Sequence, residues 1–327
     1  MPRKTDIDEI DAKILKALLS ESRTSFTEIA KDCEISIVAV RMRYKHLWKT
    51  GIITGEIMQV NPHSLGYKCI AAIGIVTAVY NEEKVLEFLK NKSYILQIIR
   101  NFGKYNLAII VTLSDMQELG AILEDLGSNH LFIERADAVI WAEAINMDYT
   151  ENLIIKPLTN KKTSQNNRNT INHEETQIDE TDQKIAKILS QNSRRPFRKI
   201  AEEIGISTQN VILRYKRLRE TVLTLSTIQV DLNKLGYRAT AHVLVKIANR
   251  SKTKEIYAQM LQIPNLIVAI RLIGPYDLFV IVALEDFESL FSFKESILRI
   301  SGIEEIDVSI NPSFPSWPLN LFASLLE

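Results

Sequence analysis

Cysteine is nearly absent from the 327-residue chain: Cys33 and Cys69 lie far apart and form no Cys-x-x-Cys pair, so neither a disulfide framework nor a zinc cluster is expected. The five histidines, His46, His63, His130, His173 and His242, are scattered, and no two stand four residues apart, the spacing that places two metal ligands on one helix face. Glycine is scarce as well, 11 residues, and no P-loop, Rossmann glycine set or nucleophile elbow can be read from them. No catalytic residue, metal or cofactor is therefore expected. There is no excess of either charge, 40 basic residues standing against 40 acidic ones, so only local charge can indicate a partner. Long apolar runs are missing too: the stretches from Cys69 to Val79 and from Ala136 to Ala144 fall far short of the roughly 18 residues of a membrane span. Met1-Pro2-Arg3-Lys4-Thr5-Asp6 leads into no signal-like apolar core. A reducing cytoplasm and no membrane partner are the expectation.

What the chain does have is an internal repeat. Shifted by 171 positions, Ile7-Asp8-Glu9-Ile10-Asp11-Ala12-Lys13-Ile14 lies over Ile178-Asp179-Glu180-Thr181-Asp182-Gln183-Lys184-Ile185. Roughly 20 of the 41 positions from Ile7 to Leu47 are identical. The register slips by one to match Leu65-Gly66-Tyr67 with Leu235-Gly236-Tyr237, then returns for Gly103-Lys104-Tyr105-Asn106 and Gly274-Pro275-Tyr276-Asp277. The chain is thus two copies of a unit of about 150 residues. A polar segment without periodicity, residues 155–177, reads as the linker. With 46% hydrophobic and 24% charged residues, each copy has the composition of an ordinary globular module.

Each copy opens with three short helices. Ile7, Ile10, Ile14, Ala17 and Leu18 recur at helical spacing and predict a helix over Asp8 to Leu19, whose acidic start suits the helix dipole. The same reading takes Asp179-Glu180-Asp182 as dipole-stabilising acids, not a catalytic carboxylate pair. Ser25-Phe26-Thr27-Glu28 has the capping-box pattern of a second helix ending near Cys33, replaced in the second copy by Arg195-Pro196-Phe197 with proline in the first turn. Ser36 and Ser207 cap third helices whose buried stripes are Val40, Tyr44, Leu47 and Val211, Tyr215, Leu218. Three helices joined by tight turns predict a helix-turn-helix. The Gly51 and Gly55 stretch after it predicts a small wing, which the second copy, lacking both glycines, is expected to have lost in part.

The third helix carries the local charge. Projected at about 100° per residue, Val38, Ala39, Met42, Lys45, His46 and Lys49 oppose the buried stripe, flanked by Arg41 and Arg43. An acid-free basic arc is what a helix needs to meet phosphates, where released counterions supply affinity. Arg214, Lys216 and Arg217 continue the reading in the second copy. Gln209 and Asn210 at its helix start can bond adenine edges, where the first copy offers only Val38 and Ala39, so the two heads should read bases differently. Ser36 and Ser207 complete the candidate DNA-binding set.

Beyond each head the pattern runs strand, helix, strand, strand, helix, strand: 68–79, 81–91, 94–102, 105–113, 115–126 and 131–142 in the first copy, and again from Ala239 to Ile310. That order predicts a ferredoxin-like βαββαβ sheet with helices on one face and another sheet on the other. Tyr276-Asp277-Leu278-Phe279-Val280-Ile281-Val282 is apolar almost throughout, which supports burial of both faces. The expected class is α+β, two tandem units, with heads at 1–60 and 178–230 and ferredoxin-like domains at 61–154 and 231–327.

Asp8, Asp11, Arg23, Ile29-Ala30, Ser36, Val40, Arg43, Leu47, Gly51-Ile52, Leu65-Gly66-Tyr67 and, in the second copy, Gly274-x-Tyr276-Asp277 stand in an order and spacing that resembles the Lrp/AsnC (feast/famine) family of transcription regulators, over nearly the whole chain. The resemblance implies double-stranded DNA as partner of the heads and a nucleoid-associated place in the cytoplasm. It also implies sheets that pair, here as an intramolecular pseudo-dimer open to further homo-oligomerisation. A small effector, commonly an amino acid, is implied at Gly103, Tyr105, Asn106, Gly274, Tyr276 and Asp277. From residue types alone, the same hairpins are chain-reversing β-turns. Two fused copies depart from the family pattern, as does Asn106 where the family has Asp, since a neutral amide cannot pair with an ammonium as a carboxylate does. The chain also looks like the fused sirohaem decarboxylases, but those carry histidine and arginine around the second sheet strand, where Ile98 to Gly103 and Ala269 to Gly274 contain no histidine.

Overall fold

The structure, a computed structural model, describes residues 7–128, 132–142, 147–158 and 177–326. The first copy runs α1 (Glu9–Ser20), α2 (Phe26–Asp32), α3 (Ile37–Lys49), β1 (Ile53–Val60), β2 (Cys69–Val76), α4 (Glu82–Lys90), β3 (Ile95–Arg100), β4 (Leu107–Leu113), α5 (Met116–Gly127) and β5 (Arg135–Trp141). The second repeats it: α6 (Glu180–Gln191), α7 (Phe197–Ile204), α8 (Thr208–Thr221), β6 (Leu223–Val230), β7 (Ala239–Ile247), α9 (Thr253–Met260), β8 (Leu266–Ile273), β9 (Leu278–Leu284), α10 (Phe287–Leu298) and β10 (Ile303–Pro312). The α+β class and the tandem order are as the sequence predicts. Most of the expected linker, including His173, lies outside the described residues, as does His130 of the first ferredoxin-like domain. The linker's first residue, Ile155, is buried, as is Leu153 just before it, and Lys16 Nζ donates to the Glu151 carbonyl at 3.0 Å and to the Leu153 carbonyl.

Compactness groups the copies by type of module. One unit comprises Met1–Ser64, Asp148–Arg238 and Ser313–Glu327, the other Leu65–Met147 and Ala239–Pro312. The C-terminal stretch thus belongs with the heads, pairing Trp317 with Val230.

In the head unit, the caps set the helix starts. Asp8 and Asp179 each form a reciprocal capping box, with Asp11 and Asp182 respectively, satisfying two free backbone donors. Ser25, Ser36 and Ser207 cap α2, α3 and α8 by accepting from Glu28, Ala39 and Asn210 N–H groups at 3.1, 3.1 and 3.2 Å. Pro196 stands at the N-cap of α7, one position before the first turn. The expected wing does not form. Gly51, at φ +69°, follows the end of α3, and the chain then makes one strand that pairs antiparallel with β6 of the other copy, Ile57 opposite Thr227. Ile53, Ile57, Met58 and Val60 are all buried, so this strand needs cover on a scale a solvent-facing wing cannot give. At Gly55 a Cβ would lie 2.2 Å from Gln229 Oε1, the far end of a side chain that can turn aside. The missing glycines of the second copy cost it nothing, since β6 is as long as β1, 8 residues.

The other unit is one antiparallel sheet in the order β10-β7-β9-β8-β5-β2-β4-β3. Its halves join where Ile140 and Trp141 of β5 face Ile273 and Leu272 of β8. At the far ends a bridge between Phe102 and Ile310 brings the two outer strands together, so the sheet returns on itself. On the helix-facing side of the first half, Ala71, Ile73, Ile75, Leu107, Ile109 and Val111 pack against Val85, Leu89, Leu119 and Leu126 of α4 and α5. Residues of opposite parity turn toward the other half. The second sheet that the sequence calls for is therefore supplied by the same chain.

Candidate nucleic-acid interface and effector hairpins

The helix α3 turns Val38, Arg41, Met42, Lys45, His46 and Lys49 outward, and α8 turns out Gln209, Asn210, Leu213, Lys216 and Arg217. Met42 and Leu213, equivalent in the repeat, are 69% and 57% exposed, and Val38 is 66% exposed, although each is apolar and lies on the basic arc. Bare methyl-bearing side chains among cations match the mixed face of a DNA groove, where thymine methyls lie beside polar edges.

Arg43 and Arg214 are placed differently from the helical projection. Arg43 pairs with Asp8 at 2.6 Å and Asp11 at 2.9 Å. Arg214 pairs with Asp179 at 2.6 Å and Asp182 at 2.8 Å, and Arg217 also reaches Asp182. Hydrogen bonds donated to the Asp11 and Asp8 carboxylates raise the Arg43 pKa, and those donated to Asp179 and Asp182 raise that of Arg214. Both arginines tie the third helix of their head to the first. Asp182 is fully buried, so the acids expected only to serve the dipole also hold this tie. Arg214 Nε in turn donates to Asn210 Oδ1 at 3.2 Å, fixing the amide at the exposed helix start.

A further pair of arginines was not singled out by charge. Arg23 of the first copy donates to the carbonyls of Ser193 and Arg195 in the second and lies 4.2 Å over the Phe197 ring. Its repeat equivalent Arg194 donates to the carbonyls of Ser22 and Thr24 and lies 4.6 Å over Phe26. Each head thus inserts an arginine into the other, and Ser22 Oγ bonds Ser193 and Ser226 Oγ at 2.6 Å between them. The visible signal was Ser-Arg at the same place in both copies.

The six hairpin residues fall at the joins of the sheet. A Cβ on Gly103 would lie 2.9 Å from the Ser309 Cα, and Gly274, at φ +146°, packs beside Val139, the repeat equivalent of Ser309. Tyr105 and Tyr276 hydroxyls donate to Asp137, at 2.9 Å, and to Asp307. Lys104 Nζ also binds Tyr276, and Asp307 at 2.9 Å. Asn106 Oδ1 accepts from Thr77 N–H at 2.9 Å, and Asp277 Oδ2 from Ile247 N–H at 2.8 Å, so amide and carboxylate cap the same backbone position. The charge of Asp277 is met by Arg250 at 2.9 Å, where the first copy has the neutral Tyr80. The charge missing at Asn106 is thus matched by a missing cation. Among the described residues no group of three or more His, Cys, Asp or Glu side chains is arranged to hold a metal, and no helix is long and apolar enough to cross a membrane.

Comparison with known proteins agrees with this architecture. A model described as the AsnC-type helix-turn-helix domain matches residues 7–47 and again 178–219, and one described as the Lrp/AsnC ligand binding domain matches 239–311. The HTH-type transcriptional regulator Ptr1 of Methanocaldococcus jannaschii is 36% identical over 119 residues, which span 36% of this chain and 80% of that protein. LrpA of Pyrococcus horikoshii is 35% identical over 119 residues, spanning 36% of this chain and 84% of LrpA. The chain belongs to the Lrp/AsnC family of helix-turn-helix transcriptional regulators, with the unit present twice. In fold alone, it also resembles the siroheme decarboxylase NirDL, at a TM-score of 0.63 and 14% identity, covering 97% of this chain and 98% of that one.

Proposed function

We propose that the chain acts as an asymmetric two-headed regulator, one polypeptide placing α3 and α8 on two half-sites of one duplex. The observation that carries this is the pair of outward faces, on which Arg41, Lys45, Lys49 and Lys216 have no acidic partner among the described ion pairs while Arg43 and Arg214 brace the helices from behind. Ser36 and Ser207 fix the helix starts, Val38 and Ala39 or Gln209 and Asn210 meet base edges, and Arg217 adds a phosphate contact at the margin. Family heads address successive major grooves about 34 Å apart, so the target is two unlike half-sites one turn or a multiple apart. The effector reading stays with the hairpins Gly103, Tyr105, Asn106 and Gly274, Tyr276, Asp277, and an amino acid there would compete with Arg250 for Asp277. Regulation, not catalysis, is the activity we assign: regulator relatives and the histidine-free strands β3 and β8 both support it, and a Soret band in the purified protein would overturn it. Cytoplasmic, nucleoid-associated action follows from duplex binding.

The test is selection of bound fragments from the source genome followed by footprinting. Two protected, non-palindromic half-sites are expected. A strict palindrome or a single protected half-site removes the asymmetry, and duplex binding without salt sensitivity removes the phosphate interface.

A further inference from the structure

Between the inner faces of the closed sheet lies a partly open cavity of about 90 Å³. It is lopsided. Ala72, Gly74 and Ala108 line it from the first half, and their repeat equivalents on the facing strands are His242, Leu244 and Phe279. The bulk that His242 and Phe279 give one half is therefore missing at Ala72 and Ala108, whereas the Tyr105 ring covers Gly74. Well-packed interiors leave few voids larger than a water molecule, and an unfilled one costs stability in proportion to its volume. A space of this size exceeds several times over the roughly 10–15 Å³ that one water needs, so it can take a compact guest.

The wall defines the guest. It is mostly hydrocarbon, and its ionisable groups are compensated. Asp137 is paired with Arg135 at 3.0 Å and accepts from Tyr105 Oη. His242 is buried, its Nε2 3.3 Å from Thr240 Oγ1. Burial lowers the His242 pKa to about 4, so the ring is neutral near pH 7. A zwitterion would find no fixed counter-charge inside and would lose its hydration. Two donors do face the space: Asn101, whose Oδ1 is engaged by the Asn311 amide nitrogen and whose NH2 has no described partner, and the Ser309 hydroxyl, which likewise has none among the described residues.

We infer that this cavity is a binding site for a compact, neutral, largely hydrocarbon molecule with one carbonyl acceptor, seated against Ala72 and Ala108 with its oxygen toward Asn101 and Ser309. It shares Tyr105 with the first hairpin and does not rest on the DNA reading.

The probe is 4-fluoroacetophenone, observed by fluorine NMR on the full chain. Saturable one-to-one binding is expected. Ala108→Phe, which installs the side chain of the opposite half, weakens it at least about tenfold while the melting temperature is kept or raised. Asn101→Leu, the residue at the equivalent Leu272, weakens the ketone by roughly three- to tenfold but leaves 1-ethyl-4-fluorobenzene, which lacks the carbonyl, unchanged. Should Ala108→Phe fail to fold, Asn101→Leu decides. Absence of saturable binding, equal affinity in a folded Ala108→Phe protein, equal loss of both probes in Asn101→Leu, or displacement of the ketone by free phenylalanine would each overturn the assignment.

Discussion

Replacing Arg23 by alanine tests whether the heads are held together by exchanged arginines. The side chain makes one strong hydrogen bond to the Ser193 carbonyl, a long one of 3.4 Å to Arg195, and a cation–π contact 4.2 Å above Phe197. A charged donor to a carbonyl is worth about 1.5–3 kcal/mol, and a partly desolvated cation–π contact about 1–2 kcal/mol. Against this stands the cost of partly burying the guanidinium, which lowers its pKa and which the alanine variant recovers. Allowing about 1 kcal/mol for that recovery, the net loss is about 1.5–4 kcal/mol. For a unit of this size, melting falls by about 2–4 °C per kcal/mol, so thermal unfolding should shift down by roughly 3–16 °C. Arg194→Ala should fall in the same range, and Arg23→Lys should restore less than half, because an ammonium cannot bond the carbonyls and cover the ring in the same geometry. A loss under about 1 kcal/mol in both alanine variants, or full rescue by lysine, would refute the reasoning.

Lys45→Ala and Lys216→Ala should each weaken binding to all duplexes alike and lower the slope of log affinity against log salt by about one, and an unchanged slope in both removes α3 and α8 from the phosphates. Asn210→Ala should cost about 1–3 kcal/mol on the best site and relax specificity there, whereas a larger change of preference in Val38→Ala would move base reading to the first head. His242, at about 4 when folded and 6.5 when free, takes up its proton more readily in the unfolded chain, so its contribution is complete above pH 6.5 and is lost as pH falls toward 4. Wild-type stability should fall across that window by at most about 1.4 kcal/mol per pH unit, and chemical denaturation of His242→Leu should show a shallower fall; equal slopes would place the lost stability elsewhere.

Local features were legible in the sequence, and distant ones were not. The serine caps, the acidic helix starts and the βαββαβ order depend on neighbours within four residues or on periodicity, and they stand where the residues put them. The fate of β1 depended on a strand 170 residues away, and of two glycines that suit a hairpin, one turned out to serve a positive φ and the other to lie beside the Gln229 side chain. Arg43 and Arg214 lie on the arc that helical projection turns outward, but their side chains reach back to acids 32 and 35 residues upstream, which no projection of a single helix can show. The candidate hairpins were legible as turns. That their glycines sit at the joins of a closed sheet required the partner strand to be known.

The pairing of β1 with β6 inside one polypeptide changes how such a regulator responds to its own abundance. Separate subunits part on dilution, and occupancy of a two-site target then rises steeply once a threshold number of copies is passed. Here the second head is always present at an effective concentration set by the chain itself. Occupancy should therefore follow copy number in simple proportion at low levels, without a threshold. Each half is also inherited with the other in a fixed ratio, so a change in one head creates no mixed populations of old and new dimers.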